Sequence, residues 1–369
     1  MQPSQTDKSQ AVGIYVHIPF CQSKCNYCDF YSITQLNRLP DYLNALKKEM
    51  YLCRTGDVRA DTLYIGGGTP SVLTPRQMGD IVDWAAACFN LEASAEMTLE
   101  INPATATTRD LQDYAAFGFN RLNIGVQSFN DPNLKFLGRR HNATQALDAV
   151  KAGKEAGFNN IGLDLIFGLP DQTASSWKSD LLQAIRLSPK HLSCYMLTYE
   201  EHTSLHADLQ ARRFEALSEF RTADLFRMTH DFLGAAGYEH YEISNYAQTP
   251  RWRSKHNQKY WNFAPYMGLG PSAHGCQLPI RWWNHRSLDN YLNDLGQGRL
   301  PRADEENLSE EQQMIEALYL GLRQSDGIVF KEFQKRFHSD FKLYFNKELD
   351  RVSVEGWIEM DSERCWLNL

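Results

Sequence analysis

Tyr15-Val16-His17-Ile18-Pro19-Phe20-Cys21-Gln22-Ser23-Lys24-Cys25-Asn26-Tyr27-Cys28-Asp29-Phe30 is the stretch on which the reading of this chain turns. An apolar run ends at Pro19, and three cysteines follow in the spacing C-x3-C-x2-C. An ordinary iron–sulfur cluster takes four cysteinyl ligands. A 4Fe–4S cluster held by Cys21, Cys25 and Cys28 leaves one iron open to a ligand that is not protein. The competing reading is structural zinc, with His17 completing one histidine and three cysteines. Against it, His17 reads as the end of a strand, and zinc ligands usually come as two separated pairs. The other five cysteines, Cys53, Cys88, Cys194, Cys276 and Cys365, stand singly and read as buried small hydrophobes.

Outward from this loop, strand-like and helix-like patterns alternate to about residue 247. Strands are expected over 14–18, 62–65, 97–101, 121–126, 161–167, 191–198 and 238–243. Between them, Leu43, Leu46 and Met50 recur at helical spacing. Thr74-Pro75-Arg76-Gln77 combines an N-cap, Pro at the first helical position and a capping-box Gln. Thr173 reads as another cap, and 211–236 as one long helix ending at Gly237. Such repetition means parallel strands joined by right-handed crossovers. Six units suggest an α/β open or partial barrel rather than the full eight-unit one, with ligands at the carboxyl ends of the strands.

Those ends carry the chemistry. Gly66-Gly67-Gly68-Thr69-Pro70 follows the second strand, and glycines let backbone approach a ligand closely. Glu100, Gln127 and Asp164 each close or interrupt an apolar run. A carboxylate there is costly unless it is paired or liganded. Any one of them could be a satisfied core group, but three at successive strand ends point to a shared pocket.

The cysteine loop with its leading Tyr15-x-His17-Ile18-Pro19-Phe20 resembles the signature of radical S-adenosylmethionine (SAM) enzymes. The likeness is to the branch of oxygen-independent coproporphyrinogen III oxidase and the HemW-type haem chaperones, and it runs over nearly the whole chain. It implies a partial (β/α)6 barrel over 11–247 with SAM chelating the open iron. One electron from the cluster would then split SAM to a 5′-deoxyadenosyl radical. By the same likeness Gly67, Gly68 and Thr69, with Tyr15, Glu100, Gln127, Arg139 and Asp164, form the SAM pocket. His274 would stand near the adenine, and Arg140 and His141 would be surface or lid residues.

Two features choose between the branches. The oxidase pattern adds a cysteine two residues after the third, where this chain has Phe30. His256-Asn257-Gln258-Lys259-Tyr260-Trp261 resembles the H-N-x-x-Y-W motif of HemW-type proteins. Neutral imidazole is an axial ligand for haem iron, while Tyr and Trp offer flat faces to a porphyrin. His256, Tyr260 and Trp261 are therefore haem candidates, with Arg251, Arg253 and Lys255 available to propionates. The opposing reading makes them domain-junction core.

After residue 247 an aromatic-rich connecting region (248–300) is expected. A smaller α+β, winged-helix-like domain (301–369) follows, opened by the capping box at Ser309 and closed by a hairpin over 357–367. Net charge is −7, with 43% hydrophobic residues, so nucleic acid is not an expected partner. The polar first ten residues and the lack of a long apolar run point to the cytoplasm, with at most peripheral membrane contact. The expectation is a radical-SAM-type haem chaperone carrying a 4Fe–4S cluster, SAM and haem as cargo. Its partners would be haem-accepting proteins and an electron donor such as a flavodoxin or ferredoxin, and a homodimer stays open. The enzyme alternative is an oxygen-independent coproporphyrinogen III oxidase, and the third is a zinc-binding interaction protein.

Overall fold

The computed structural model describes residues 11–54, 59–103 and 105–368. The polar segment 1–10 lies outside them. Twelve strands form one sheet. In chain order they are β1 (Val12–Ile18), β2 (Arg59–Gly67), β3 (Asn90–Ile101), β4 (Arg121–Gln127), β5 (Asn160–Phe167) and β6 (His191–Met196). They continue as β7 (Glu239–Glu242), β8 (Asn245–Ala247), β9 (Tyr266–Leu269), β10 (His274–Gln277), β11 (Ile280–Asn284) and β12 (Arg302–Asn307). Spatial order is β12-β11-β10-β9-β1-β2-β3-β4-β5-β6-β8-β7.

The pairs from β1 to β6 are all parallel, as helical crossovers demand. This is the expected α/β partial barrel, open at both edges. The helices start where caps were read. Thr74 and Gln77 form a capping box on the helix Pro75–Cys88, and Thr173 accepts from Ser176 N–H at the head of Ala174–Arg186. Leu43, Leu46 and Met50 pack from the helix Leu39–Leu52 into the core beneath the sheet.

Three details depart from the sequence reading. The helix expected over 211–236 begins only at Glu219 and runs to Ala235, while a separate short helix, Ser204–Gln210, ends just before the expected range. Arg212 takes a positive φ of 53°, and Ser218 caps the second helix by accepting from Arg221 N–H. The last strand before 247 is half of a hairpin, β7 with β8, lying antiparallel on β6. The aromatic stretch extends the sheet, for β9 pairs parallel with β1, and β10 and β11 run antiparallel beyond it.

Glu49 ties that extension to the barrel. It is 1% exposed. Its Oε2 accepts from Gly270 N–H (2.8 Å) and Tyr291 O–H (2.6 Å), and its Oε1 from the Asn284 amide (2.5 Å). The C-terminal unit has its own core of Met314, Ile328, Phe333, Phe337, Phe341 and Cys365. It carries a three-stranded antiparallel sheet, β13 (Ile328–Val329), β15 (Arg364–Leu367) and β14 (Ile358–Met360). Helices followed by a hairpin give it the winged-helix-like form read from the sequence. Among the described residues, no helix is long and apolar enough to cross a membrane.

Glu49→Ala strands three buried donors and should cost about 3 kcal/mol or more of folding free energy. Burial also pushes the Glu49 carboxyl up to about 7. Its share of the stability is thus full below the unfolded carboxylate value and is lost as pH rises through about 7. Chemical denaturation from pH 5 to pH 8 should show that loss, and Glu49→Gln should flatten it. Equal pH slopes in the two proteins would refute the assignment.

Candidate functional site

A cavity of about 700 Å³ opens at the carboxyl ends of β1–β6. The cysteine loop roofs one side. Cys21 is buried, Cys25 and Cys28 are half-buried, and all three line the cavity. The loop is held from three directions. Cys21 N–H donates to Ile33 O (2.9 Å), Asn26 N–H to Leu137 O (3.2 Å), and Asn26 O accepts from Leu205 N–H (2.9 Å).

The glycine run completes the roof. Gly68 N–H donates to Ile18 O and Thr69 N–H to Phe20 O, each at 2.8 Å, so the β1–β2 ladder continues past both strand ends. A Cβ on Gly68 would stand 2.7 Å from Phe20 O and 3.0 Å from Cys21 Sγ, so only glycine fits beside the first cysteine. Gly67, with φ of 108°, lies against the His17 ring.

Seven of the eight residues assigned to SAM line this cavity: Gly67, Gly68, Thr69, Glu100, Gln127, Arg139 and Asp164. Glu100 accepts from Tyr64 O–H (2.6 Å) and Gly67 N–H (3.2 Å). Burial nonetheless pushes its carboxyl up to about 7, the Tyr64 bond acting in the opposite sense. Asp164 accepts from the Asn123 amide on Oδ2 (2.7 Å), while its buried Oδ1 has no partner. Burial raises it as well. Gln127 takes a φ of 67° where the register of β4 against β5 slips. A left-handed non-glycine residue is a strained conformation of the kind that gathers at binding sites.

Tyr15 does not line the cavity. Its hydroxyl meets His17 Nδ1 (3.1 Å), and its ring lies behind Tyr64 and beside His256. It faces inward, as strand alternation requires, but one layer too deep. His17 has both nitrogens engaged, Nε2 with Tyr31 O at 2.9 Å. Among the described residues, no three Cys, His, Asp or Glu side chains are grouped to hold a single metal ion. Both His17 ring nitrogens are thus turned to Tyr15 and Tyr31 rather than to the three cysteines.

The haem candidates do not converge on this cavity either. His256 is 1% exposed, with Nδ1 at 2.7 Å from Thr62 Oγ1 and Nε2 at 2.9 Å from the Tyr260 hydroxyl. The i, i+4 pair lies on the face of the helix Lys255–Trp261 that covers the base of β2. Trp261 sits at the domain junction beneath the Arg323 guanidinium, 4.8 Å from its ring. Arg253 is committed to Glu239 and Asp326. His274 is exposed on β10, stacked on Trp283, and is not at the cavity wall. His141 is buried rather than superficial, its Nε2 meeting Val126 O.

Asn102 was missed. Its amide donates to Thr69 Oγ1 (2.9 Å), and its Oδ1 accepts from Arg139 Nη2 (2.5 Å). Thr69 Oγ1 in turn donates to Cys21 Sγ (3.4 Å), and Arg139 Nη1 donates to Cys25 Sγ (3.5 Å). One hydrogen-bonded chain thus joins two of the three thiols through Asn102. Tyr64, Arg121, Asn123, His191 and Asn257 also line the cavity. Steps of two residues from Glu100 and Gln127 reach Asn102, Asn123 and Arg121, the signal that strand alternation offers. Three thiols along one wall, two with polar donors on sulfur, fit a cluster ligand set. Hydrogen bonds to sulfur help to set a cluster's potential. Asn102→Ala should leave a folded protein whose reconstituted cluster has a more negative midpoint in an EPR-monitored titration and is lost faster to a chelator. An unchanged midpoint and lifetime would remove Asn102 from this role.

Comparisons with known proteins agree with this architecture. Residues 15–184 match the Radical SAM superfamily, and residues 308–369 the HemN C-terminal domain. The heme chaperone HemW of Lactococcus lactis is 35% identical over 351 residues, covering 95% of this chain and 91% of that protein. The heme chaperone HemW of Escherichia coli is 41% identical over 275 residues, covering 73% and 71%. Among solved structures, the radical SAM coproporphyrinogen III oxidase HemN of Escherichia coli superposes with a TM-score of 0.86 at 23% identity. That match covers 99% of this chain and 88% of the other, and at this identity it speaks for the fold. With loop, barrel and C-terminal unit all matched, the chain belongs to the radical SAM superfamily, in its HemW family.

Proposed function

We propose that this protein is a radical-SAM-type haem chaperone, binding a 4Fe–4S cluster and SAM and carrying haem to acceptor proteins. The observation that carries the first half is the gathering of Cys21, Cys25 and Cys28 with seven assigned SAM residues around one cavity. Cys21, Cys25 and Cys28 would ligate the cluster. When bound, cluster and SAM together supply one-electron chemistry at the sulfonium, with the electron coming from a flavodoxin- or ferredoxin-like donor. The residues of the chain do the rest. Gly67 and Gly68 let the backbone close on the ligand, Glu100 and Asp164 offer carboxyl groups to amino or hydroxyl donors, and the cysteine loop and the strand ends wall off the solvent.

The second half is supported by the relatives that bear the haem chaperone name and by Phe30. That residue is 69% exposed at the cavity mouth, where the oxidase branch would present a further thiol. Tyr195 and Met196, 40% and 52% exposed, stand at the same mouth. They offer a flat ring and a thioether, chemistry suited to a porphyrin and its iron. His256 serves the fold in this reading, because iron ligation would cost it the bond to Thr62 or to Tyr260.

Anaerobic reconstitution should give a cluster in the wild type and none in Cys25→Ala, with that variant still soluble; a full cluster in Cys25→Ala would refute the ligand set. The same reconstituted sample should bind haem and leave coproporphyrinogen III unchanged in the presence of SAM. Formation of protoporphyrinogen would establish the oxidase alternative. His256→Ala should lower the melting temperature while the Soret band stays in place. Loss of haem with an unchanged melting temperature would restore His256 as a ligand.

A further inference from the structure

Cys25 borders two cavities. Besides the large one, a separate cleft of about 220 Å³ lies against the same cysteine loop, with Gln22, Ser23, Arg140, His141 and Gln145 on its own side. Ser23, Cys25, Thr69, Asn102 and Arg139 line both spaces. The relay from Thr69 through Asn102 to Arg139 is therefore the wall between them, and Cys25 can be approached without entering the SAM cavity.

The two spaces differ in charge. The large cavity carries four carboxyl groups, Asp29, Glu100, Asp164 and Glu200, whereas no Asp or Glu lines the cleft. Arg139 is committed to Asn102, the Gly125 carbonyl and the Cys25 sulfur. Arg140 next to it is exposed and forms no hydrogen bond or ion pair with any described residue. Lys24, exposed between Ser23 and Cys25, is in the same condition. The nearby acids are engaged: Asp131 accepts from Ala143 N–H (2.7 Å), and Asp29 pairs with Arg286 (3.5 Å).

A lone exposed cation is ordinary on a protein surface. Two of them beside an acid-free cleft that ends on a cluster cysteine, in a chain of net charge −7, are a local reversal of sign. Such a patch steers acidic partners and acts on the rate of encounter more than on affinity. Electron-transfer encounters have this character and bury little surface. With SAM in the large cavity and haem at its mouth, the cleft is the approach to Cys25 that stays open.

We propose that the cleft beside Cys25, flanked by Arg140 and Lys24, is the docking face for a small acidic one-electron carrier protein. This rests on the reading of Cys21, Cys25 and Cys28 as cluster ligands. One electron leaves the reduced carrier for the cluster held by the three cysteines, and no bond forms or breaks.

The test uses the full chain, its cluster reconstituted and counted by iron and sulfide analysis, mixed anaerobically with flavodoxin hydroquinone in a stopped-flow spectrometer. The second-order rate of cluster reduction should fall as salt is added. Arg140→Glu should lower that rate at least about tenfold at low salt and weaken the binding of oxidised flavodoxin in a calorimetric titration. Reduced methyl viologen, a small cation, should reduce the variant's cluster no more slowly than the wild type's. Arg140→Gln, which only removes the charge, should act in the same direction and keeps the test decisive if Arg140→Glu assembles poorly. Lys331→Glu makes the same charge change on the exposed surface of the C-terminal unit and should leave rate and affinity unchanged. Rate or affinity unaltered in both Arg140 variants, or lowered as much by Lys331→Glu, overturns the docking face and leaves the cluster reading standing. Failure of the wild type to assemble a cluster removes that reading, and the docking face with it, before any carrier is added.

Discussion

The site depends on a parallel ladder that outlasts its strands. Gly68 and Thr69 keep donating to Ile18 O and Phe20 O after β1 and β2 have ended. Those two bonds lock the cysteine loop to the glycine run, so Cys21, Thr69 and the Gly67 backbone come to the cavity as one piece. Any side chain at position 68 would drive into the Phe20 carbonyl and the Cys21 sulfur. Placement of the first thiol is therefore a backbone matter, and the chain Thr69–Asn102–Arg139 carries the same order across to Cys25.

The interior of the barrel is unusually polar for a core. Thr62, Tyr64, Glu96, Glu100, Arg121, Asn123, Asp164 and His191 stand on the inward faces of β2 to β6, while the outward residues of β4 and β5 pack apolar against helices. Some of these groups answer one another, as Tyr64 answers Glu100 and Asn123 answers Asp164. Others are left with open valences that face the cavity. A fold retains such groups at a cost in stability, and that cost is met where a ligand completes them.

Much of this was legible beforehand, for physical reasons. Parallel strands deliver alternate residues to one end, so Glu100, Gln127 and Asp164 could be read as neighbours across sixty-odd positions of chain. The cysteine spacing and the glycine run are local patterns and survive without tertiary knowledge. Depth is not local. Alternation states that Tyr15 faces inward but not how far down, and the structure sets it behind Tyr64. The His256/Tyr260 spacing marks one helix face without saying what that face covers. Asn102 escaped because its relay of five residues joins segments more than a hundred residues apart. The break near Arg212 carries no proline or glycine to announce it, only a capping serine six residues later.

The helix Lys255–Trp261 touches two worlds at once. Asn257 borders the cavity, while Trp261 lies under Arg323 at the start of the C-terminal unit, and Gln324 donates to the Trp261 carbonyl. Seven residues of helix make a rod about 10 Å long, too short to bend. One short helix thus borders the floor of the barrel with one residue and carries the C-terminal unit's contacts on another.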